Sequence, residues 1–101
     1  MTPNPKKKRI GLSQKEWLAL VDRVFLRDLN ICQACGRFQN QDYLCPHHIK
    51  SRGSGGDDSE YNLISLCKVC HNKVHAGSLK GSDGARYRKL VRELKKLRPK
   101  P

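Results

Sequence analysis

The sequence predicts a small α+β domain: two short strands and a short helix stapled by a four-cysteine metal site, flanked by one helix on each side. Three observations carry this. Cys32-x-x-Cys35 and Cys67-x-x-Cys70 repeat one metal-knuckle spacing. Apolar residues recur at helical intervals near both ends of the chain, but only in short runs between the knuckles. Hydrophobic residues make up 37% of 101 residues and charged residues 30%, so the core is thin and needs a staple.

Each element follows from local chemistry. Ser13-Gln14-Lys15-Glu16 is a capping box that starts a helix. Trp17, Leu20, Val21, Val24 and Phe25 then continue it to about Asp28, with Trp17 as a core anchor. Cys32 to Gly36 forms a knuckle with its turn glycine. Tyr43 to Ile49 reads as a short strand, residues 50–60 as a Gly- and Ser-rich loop, and Leu63 to Leu66 as a second strand. Cys67 to Ala76 has helical spacing and ends at Gly77. A last helix over about 84–97 lines up Ala85, Tyr87, Leu90, Val91, Leu94 and Leu97 on one side. Three parts result: a disordered basic tail over 1–12, a metal-bearing domain with its leading helix over 13–78, and a basic helix and tail over 79–101.

Charge points to the partner. The formal net charge is +12, far more than solubility requires, and it implies a polyanion such as nucleic acid. Residues 1–30 carry seven Lys/Arg against three Asp/Glu, and 79–101 carry nine against two. The middle, 31–78, carries five against four and holds every Cys and His. A neutral site between basic arms is the pattern. With no apolar run after the N-terminal cations and none near the ~18 residues of a membrane span, a cytoplasmic, reducing setting is expected. There, paired cysteines are metal ligands more often than disulfides.

Cys32, Cys35, Cys67 and Cys70 together complete one tetrahedral, four-thiolate structural Zn2+ site. The odd Cys45, before Pro46, is expected to be a small buried residue. All four histidines then lie at 47, 48, 71 and 75. His71 and His75 are one helical turn apart and project from one face, where they can share a metal. Imidazole is also the side chain suited to proton abstraction near neutral pH. Three ligands and one free base would use all four. His47 and His48 pose a geometric question, since successive residues on a strand point to opposite faces. Asp57 and Asp58 read as turn residues.

The stretch "CQACG…HHIKSRGSGGDDSEYNLISLCKVCHNKVH", about residues 32–75, resembles the HNH endonuclease family. The resemblance rests on both knuckles, the His47-His48 pair, N-L-x-x-L-C-x-x-C-H and a further histidine. It implies a ββα-metal (His-Me finger) core and a metal-dependent endonuclease that hydrolyses DNA phosphodiester bonds, nicking or cutting, to leave 5′-phosphate and 3′-hydroxyl ends. It assigns His48 as general base and Asn62 as the residue that fixes the segment bearing it. His47 and His71 become ligands of a catalytic divalent metal, with His75 a third ligand or a phosphate contact. Many family members have Asp where this chain has His47, which leaves Mg2+, Mn2+, Ni2+ and Zn2+ all open as that metal, with imidazole favouring the softer ions. Arg52, and Arg86, Arg88, Lys89, Arg92, Lys95 and Lys96 of the last helix, are expected to contact the phosphates of double-stranded DNA. The alternative is a zinc-stapled module that binds nucleic acid without cutting it. That reading leaves the histidines without a role.

Overall fold

The computed structural model describes residues 12–99, so the basic tail expected over 1–12 lies, apart from Leu12, outside them. Helix α1 spans Gln14–Arg27. Its capping box is complete: Ser13 Oγ accepts from the Glu16 N–H at 3.1 Å, and Glu16 Oε1 accepts from the Ser13 N–H at 2.9 Å. Strand β1 (Leu44–His48) pairs antiparallel with strand β2 (Leu63–Cys67), and helices α2 (Lys68–His75) and α3 (Gly81–Leu97) follow. Strand, strand and helix therefore succeed one another between two flanking helices.

A two-stranded sheet is marginal alone, and here β2 is buried along its whole length. Leu63 faces α1, joining Leu20 and Val24, with Trp17 at the edge. Ile64 and Leu66 face the other way, onto Cys32, Ala34 and Cys70, with Val74, Leu79, Tyr87 and Leu90 around them. Each such aliphatic side chain contributes roughly 1.5–3 kcal/mol on burial. Pro46 sits opposite Ser65 without loss, because both Ser65 backbone groups point outward: its N–H to Asp28 Oδ2 and its carbonyl to the Gln33 N–H.

The end of α1 is tied to β2 by adjacent charges. Asp28 accepts from Arg27 Nε at 2.8 Å and Nη2 at 2.9 Å, and from the Ser65 N–H at 3.0 Å. Arg27 also donates to the carbonyls of Glu60 and Leu63. Asp28, expected only to end the helix, is therefore a buried strap to the sheet.

Gly77 ends the α2 segment as expected, at φ +71°, and the Ser78 N–H returns to the Lys73 carbonyl. Helix α3 starts three residues before the expected 84. Its two early glycines suggest a turn, but Gly84 is buried against the Leu79 carbonyl, which would lie 3.0 Å from an added Cβ. The inward stripe is Gly84, Tyr87, Leu90, Val91 and Leu94, whereas Ala85 is exposed and Leu97 is 66% exposed. Ala85 lies on the far side of the helix from that stripe, and Leu97 is exposed as the last residue of the helix. Cys45 is half-buried.

Replacing Asp28 with Ala should leave the buried Ser65 N–H without its acceptor, while Arg27 keeps the Glu60 and Leu63 carbonyls. The expected loss is about 1–3 kcal/mol, as for a buried donor left unpaired, read as a lower urea midpoint than wild type.

Candidate active site

The two knuckles meet at the start of α2. The Sγ atoms of Cys32, Cys35, Cys67 and Cys70 all lie within 4.8 Å of one another, with Cys35 and Cys67 at 4.0 Å. Tetrahedral thiolates around Zn2+ at ~2.3 Å stand about 3.8 Å apart, so the spacing fits such an ion. Backbone N–H groups of Ala34 and Cys35 point at Cys32 Sγ, and that of Cys70 points at Cys67 Sγ. Burial pushes the Cys35 and Cys70 thiols up. At Cys32 the same burial is outweighed by N–H donors, which hold it below the ordinary thiol value. Four thiols this close ionise together only with a cation to offset them.

Cys67 is also the N-cap of α2, so this cluster sets the direction in which His71 and His75 project. Their Nε2 atoms are 3.1 Å apart. His47 comes to them from β1, its ring edge-on at 5.3 Å from His71 and 5.4 Å from His75. One ring nitrogen from each of the three lies within 4.8 Å of the others. Nitrogens bound to one metal at ~2.0–2.1 Å are about 2.9–3.4 Å apart, so modest closure would make this a ligand set. Tyr87 of α3 packs on His47 at 6.0 Å. His47 is only 6% exposed. Burial first, then the neighbouring His71, His75 and His48, lowers its pKa to about 4. Burial, then His75, lowers that of His71. Both rings are thus held in the neutral form that metals require.

Strand alternation separates His48 from this trio. His47 lies opposite Ile64 and shares its face, whereas His48 lies opposite Leu63 on the α1 face. There the His48 ring stacks on Trp17, with centroids 5.8 Å apart and planes 2° from parallel. Its Nε2 is 2.8 Å from Asp58 Oδ1. Trp17 is therefore both an edge residue of the core and the surface on which His48 rests. Asp58, read from sequence as a turn residue, is the carboxylate partner of that histidine. Ten residues separate the two, and nothing local in the Gly- and Ser-rich loop marks Asp58 as that partner.

The loop carrying Asp58 is pinned by Asn62. The Asn62 carbonyl accepts from the Ile49 N–H, and its side-chain oxygen accepts from the Lys50 N–H. Its amide donates to the carbonyls of Lys50 and Asp57. The chain thus leaves regular pairing just after His48. Gly56 packs so tightly that an added Cβ would lie 1.8 Å from the Lys50 carbonyl oxygen, so no side chain fits there. Asp57 is held from α3, its two oxygens receiving Arg98 Nη1 and Nη2 at 2.9 and 3.0 Å.

Of the expected phosphate contacts, Arg52 is held by Asp58, with its Nε 3.1 Å from Oδ1 and its guanidinium 5.2 Å over Trp17. Arg86, Arg88, Lys89, Arg92, Lys95 and Lys96 are all exposed on α3. Among the described residues no helix is long and apolar enough to cross a membrane.

The family model for HNH endonucleases matches residues 32–77. A probable HNH endonuclease of Lactococcus phage SK1 is 39% identical over 66 residues, covering 60% of this chain and 70% of the phage protein. The chain belongs to the HNH endonuclease family. The Type IV methyl-directed restriction enzyme EcoKMcrA of Escherichia coli (strain K12) is also 39% identical, over 51 residues, which is 45% of this chain and 18% of that enzyme. As an HNH endonuclease, this protein is a DNA-cleaving hydrolase with metal-dependent activity. The matched stretch runs from the first knuckle to the glycine that ends α2. Both clusters fall inside it, whereas α1, with Trp17, and α3, with its cations, lie outside.

The depressed pKa of His47 has a stability consequence in this HNH endonuclease. An unfolded His47 takes up its proton near pH ~6.5, but the folded one resists until about 4. The unfolded state therefore binds more protons between these values, and the fold loses stability as pH falls through the window. Wild type should lose up to about 3 kcal/mol more than His47→Leu between pH 6.5 and 4, as read by urea unfolding.

Proposed function

We propose that this HNH endonuclease hydrolyses phosphodiester bonds of double-stranded DNA, with His48 as general base and a divalent metal held by His47, His71 and His75. The observation that carries this reading is the convergence of three imidazoles on one point, next in sequence to a fourth imidazole held by a carboxylate. His47 and His48 are consecutive residues at the end of β1, with Cα atoms ~3.8 Å apart. A phosphate lying across that strand end meets both. The metal, when bound, supplies positive charge to the phosphoryl oxygens and to the leaving 3′ oxygen.

With Nε2 turned to Asp58, His48 offers Nδ1 to an attacking water and takes its proton. The new bond forms between that water oxygen and phosphorus, and the bond to the 3′ oxygen breaks. The products carry 5′-phosphate and 3′-hydroxyl ends. Asn62 keeps β1 from continuing past His48, and so fixes the base at the strand end. The ring contact of His75 with His71 supports a ligand role for it over a phosphate contact. An all-imidazole set favours Zn2+, Ni2+ or Mn2+ over Mg2+, and the four thiolates suit structural Zn2+. Arg52 and the cations of α3 contact phosphate, giving affinity without sequence choice. The relatives, one from a bacteriophage and one from a bacterium, support action in the cytoplasm of a bacterial or phage-infected cell.

The test is supercoiled-plasmid cleavage with Mg2+, Mn2+, Ni2+ and Zn2+ in turn. The wild type should cut with at least one of them, and His48→Ala should be about 10²–10⁴-fold slower. Equal cutting by both proteins overturns the base assignment.

Binding should weaken steeply with salt. Changing Arg86, Arg88, Lys89, Arg92, Lys95 and Lys96 to Gln should reduce the slope of log K against log salt by about 0.9 for each phosphate that is no longer neutralised. An unchanged slope removes α3 from the DNA interface.

A further inference from the structure

We propose that Asp58 is the positioning residue for His48: its carboxylate accepts a hydrogen bond from Nε2–H and so leaves Nδ1 as the basic nitrogen facing the water. This rests on the reading of His48 as general base and adds the device that sets which of its nitrogens takes the proton. The geometry is specific. Asp58 Oδ1 is 2.8 Å from Nε2, and its side chain is 9% exposed. An ionised carboxylate only accepts, so the nitrogen facing it must carry the proton. In a neutral ring the other nitrogen is then unprotonated.

The surroundings keep Asp58 ionised and in place. Burial opposes its charge, but the hydrogen bonds from His48 and Arg52 outweigh burial and hold its carboxyl below the usual carboxylate range. The neighbouring Asp57 is fixed at its carbonyl by Asn62 and at its side chain by Arg98. The parallel Trp17 ring covers one face of the His48 ring and favours that ring plane. Trp17 comes from α1, outside the stretch that matches the family. The ring is thus fixed in plane by α1 and in tautomer by the loop.

Asp58→Asn keeps the shape but offers an amide that can donate to Nε2, which favours the opposite tautomer. With the whole chain and the metal ion that supports cutting by the wild type, kcat for plasmid nicking should fall about 10–100-fold, the range known for carboxylates that orient metal-bound histidines, with KM changed less than about twofold. Nitrogen-15 NMR of the His48 ring should show Nε2–H in the wild type and a loss of that tautomer in Asp58→Asn. Asp58→Glu, which retains the acceptor, should keep the tautomer and recover part of the rate. It also serves as the readout should Asp58→Asn fail to fold. If His48→Ala is inactive but Asp58→Asn cuts at the wild-type rate, or if the tautomer is the same in all three proteins, Asp58 is only a structural partner. If His48→Ala itself still cuts, the failure is that of the base assignment and not of this refinement.

Discussion

Four thiols separated by 31 intervening residues (36–66) converge at the first turn of α2, and most of the architecture depends on that junction. A hairpin of two five-residue strands would not hold its register unaided. Here both of its ends are tied: Cys35 is brought against Cys67 at the end of β2, while the 3₁₀ turn before β1 leads in from the first knuckle. Because Cys67 both closes β2 and caps α2, the helix leaves the sheet in one direction only. That direction puts His71 and His75 beneath His47. The structural cluster and the histidine cluster are thus two ends of one eight-residue helix.

The second constraint is strand parity. On a regular strand His47 and His48 cannot share a face, and β1 remains regular through both. The two faces serve different chemistry. On the α2 face, burial and mutual repulsion hold His47 neutral, as a ligand must be. On the α1 face, a carboxylate and an indole hold His48 by one nitrogen and one ring plane. On one face His48 would stand among the same imidazoles that lower the pKa of His47 and His71. Opposite faces at a strand end give the two rings different partners, although His48 still adds to the lowering of the His47 pKa.

Features encoded locally were legible in the sequence: the capping box at Ser13, the knuckle spacings, the short strands and the stop at Gly77. Each depends on a few neighbouring residues whose chemistry allows few alternatives. That His71 and His75 share a face was also accessible from helical spacing, whereas the choice of His47 over His48 as their companion came only with the resemblance to the family. Asp58 was not. It lies in a Gly- and Ser-rich loop without periodicity, and its role arises only when Asn62 folds that loop back onto β1. Asp28 escaped for a related reason: a helix-terminal Asp is ordinary, and its acceptor role depends on a strand 37 residues later. The early start of α3 was hidden because Gly81 and Gly84 suggest a turn, yet burial of Gly84 against Leu79 favours a residue without a side chain.

Asn62, Gly56 and Arg98 together explain why an eleven-residue polar loop (50–60) can carry a carboxylate in a defined place. Asn62 contributes three side-chain hydrogen bonds, to Lys50 at both backbone groups and to the Asp57 carbonyl. That closes the loop at its base. The close approach at Gly56 lets the two limbs meet until no Cβ would fit, while the left-handed Gly55, at φ +91°, turns the chain into it. Arg98, at the end of α3, then fixes Asp57 by a bidentate pair, a geometry Lys could not reproduce. This last pair joins the basic helix to the segment that holds His48. Movement of α3 on binding a polyanion would therefore reach Asp57 first and its neighbour Asp58 next. Arg98 thus couples the basic helix α3 to the loop that carries Asp58.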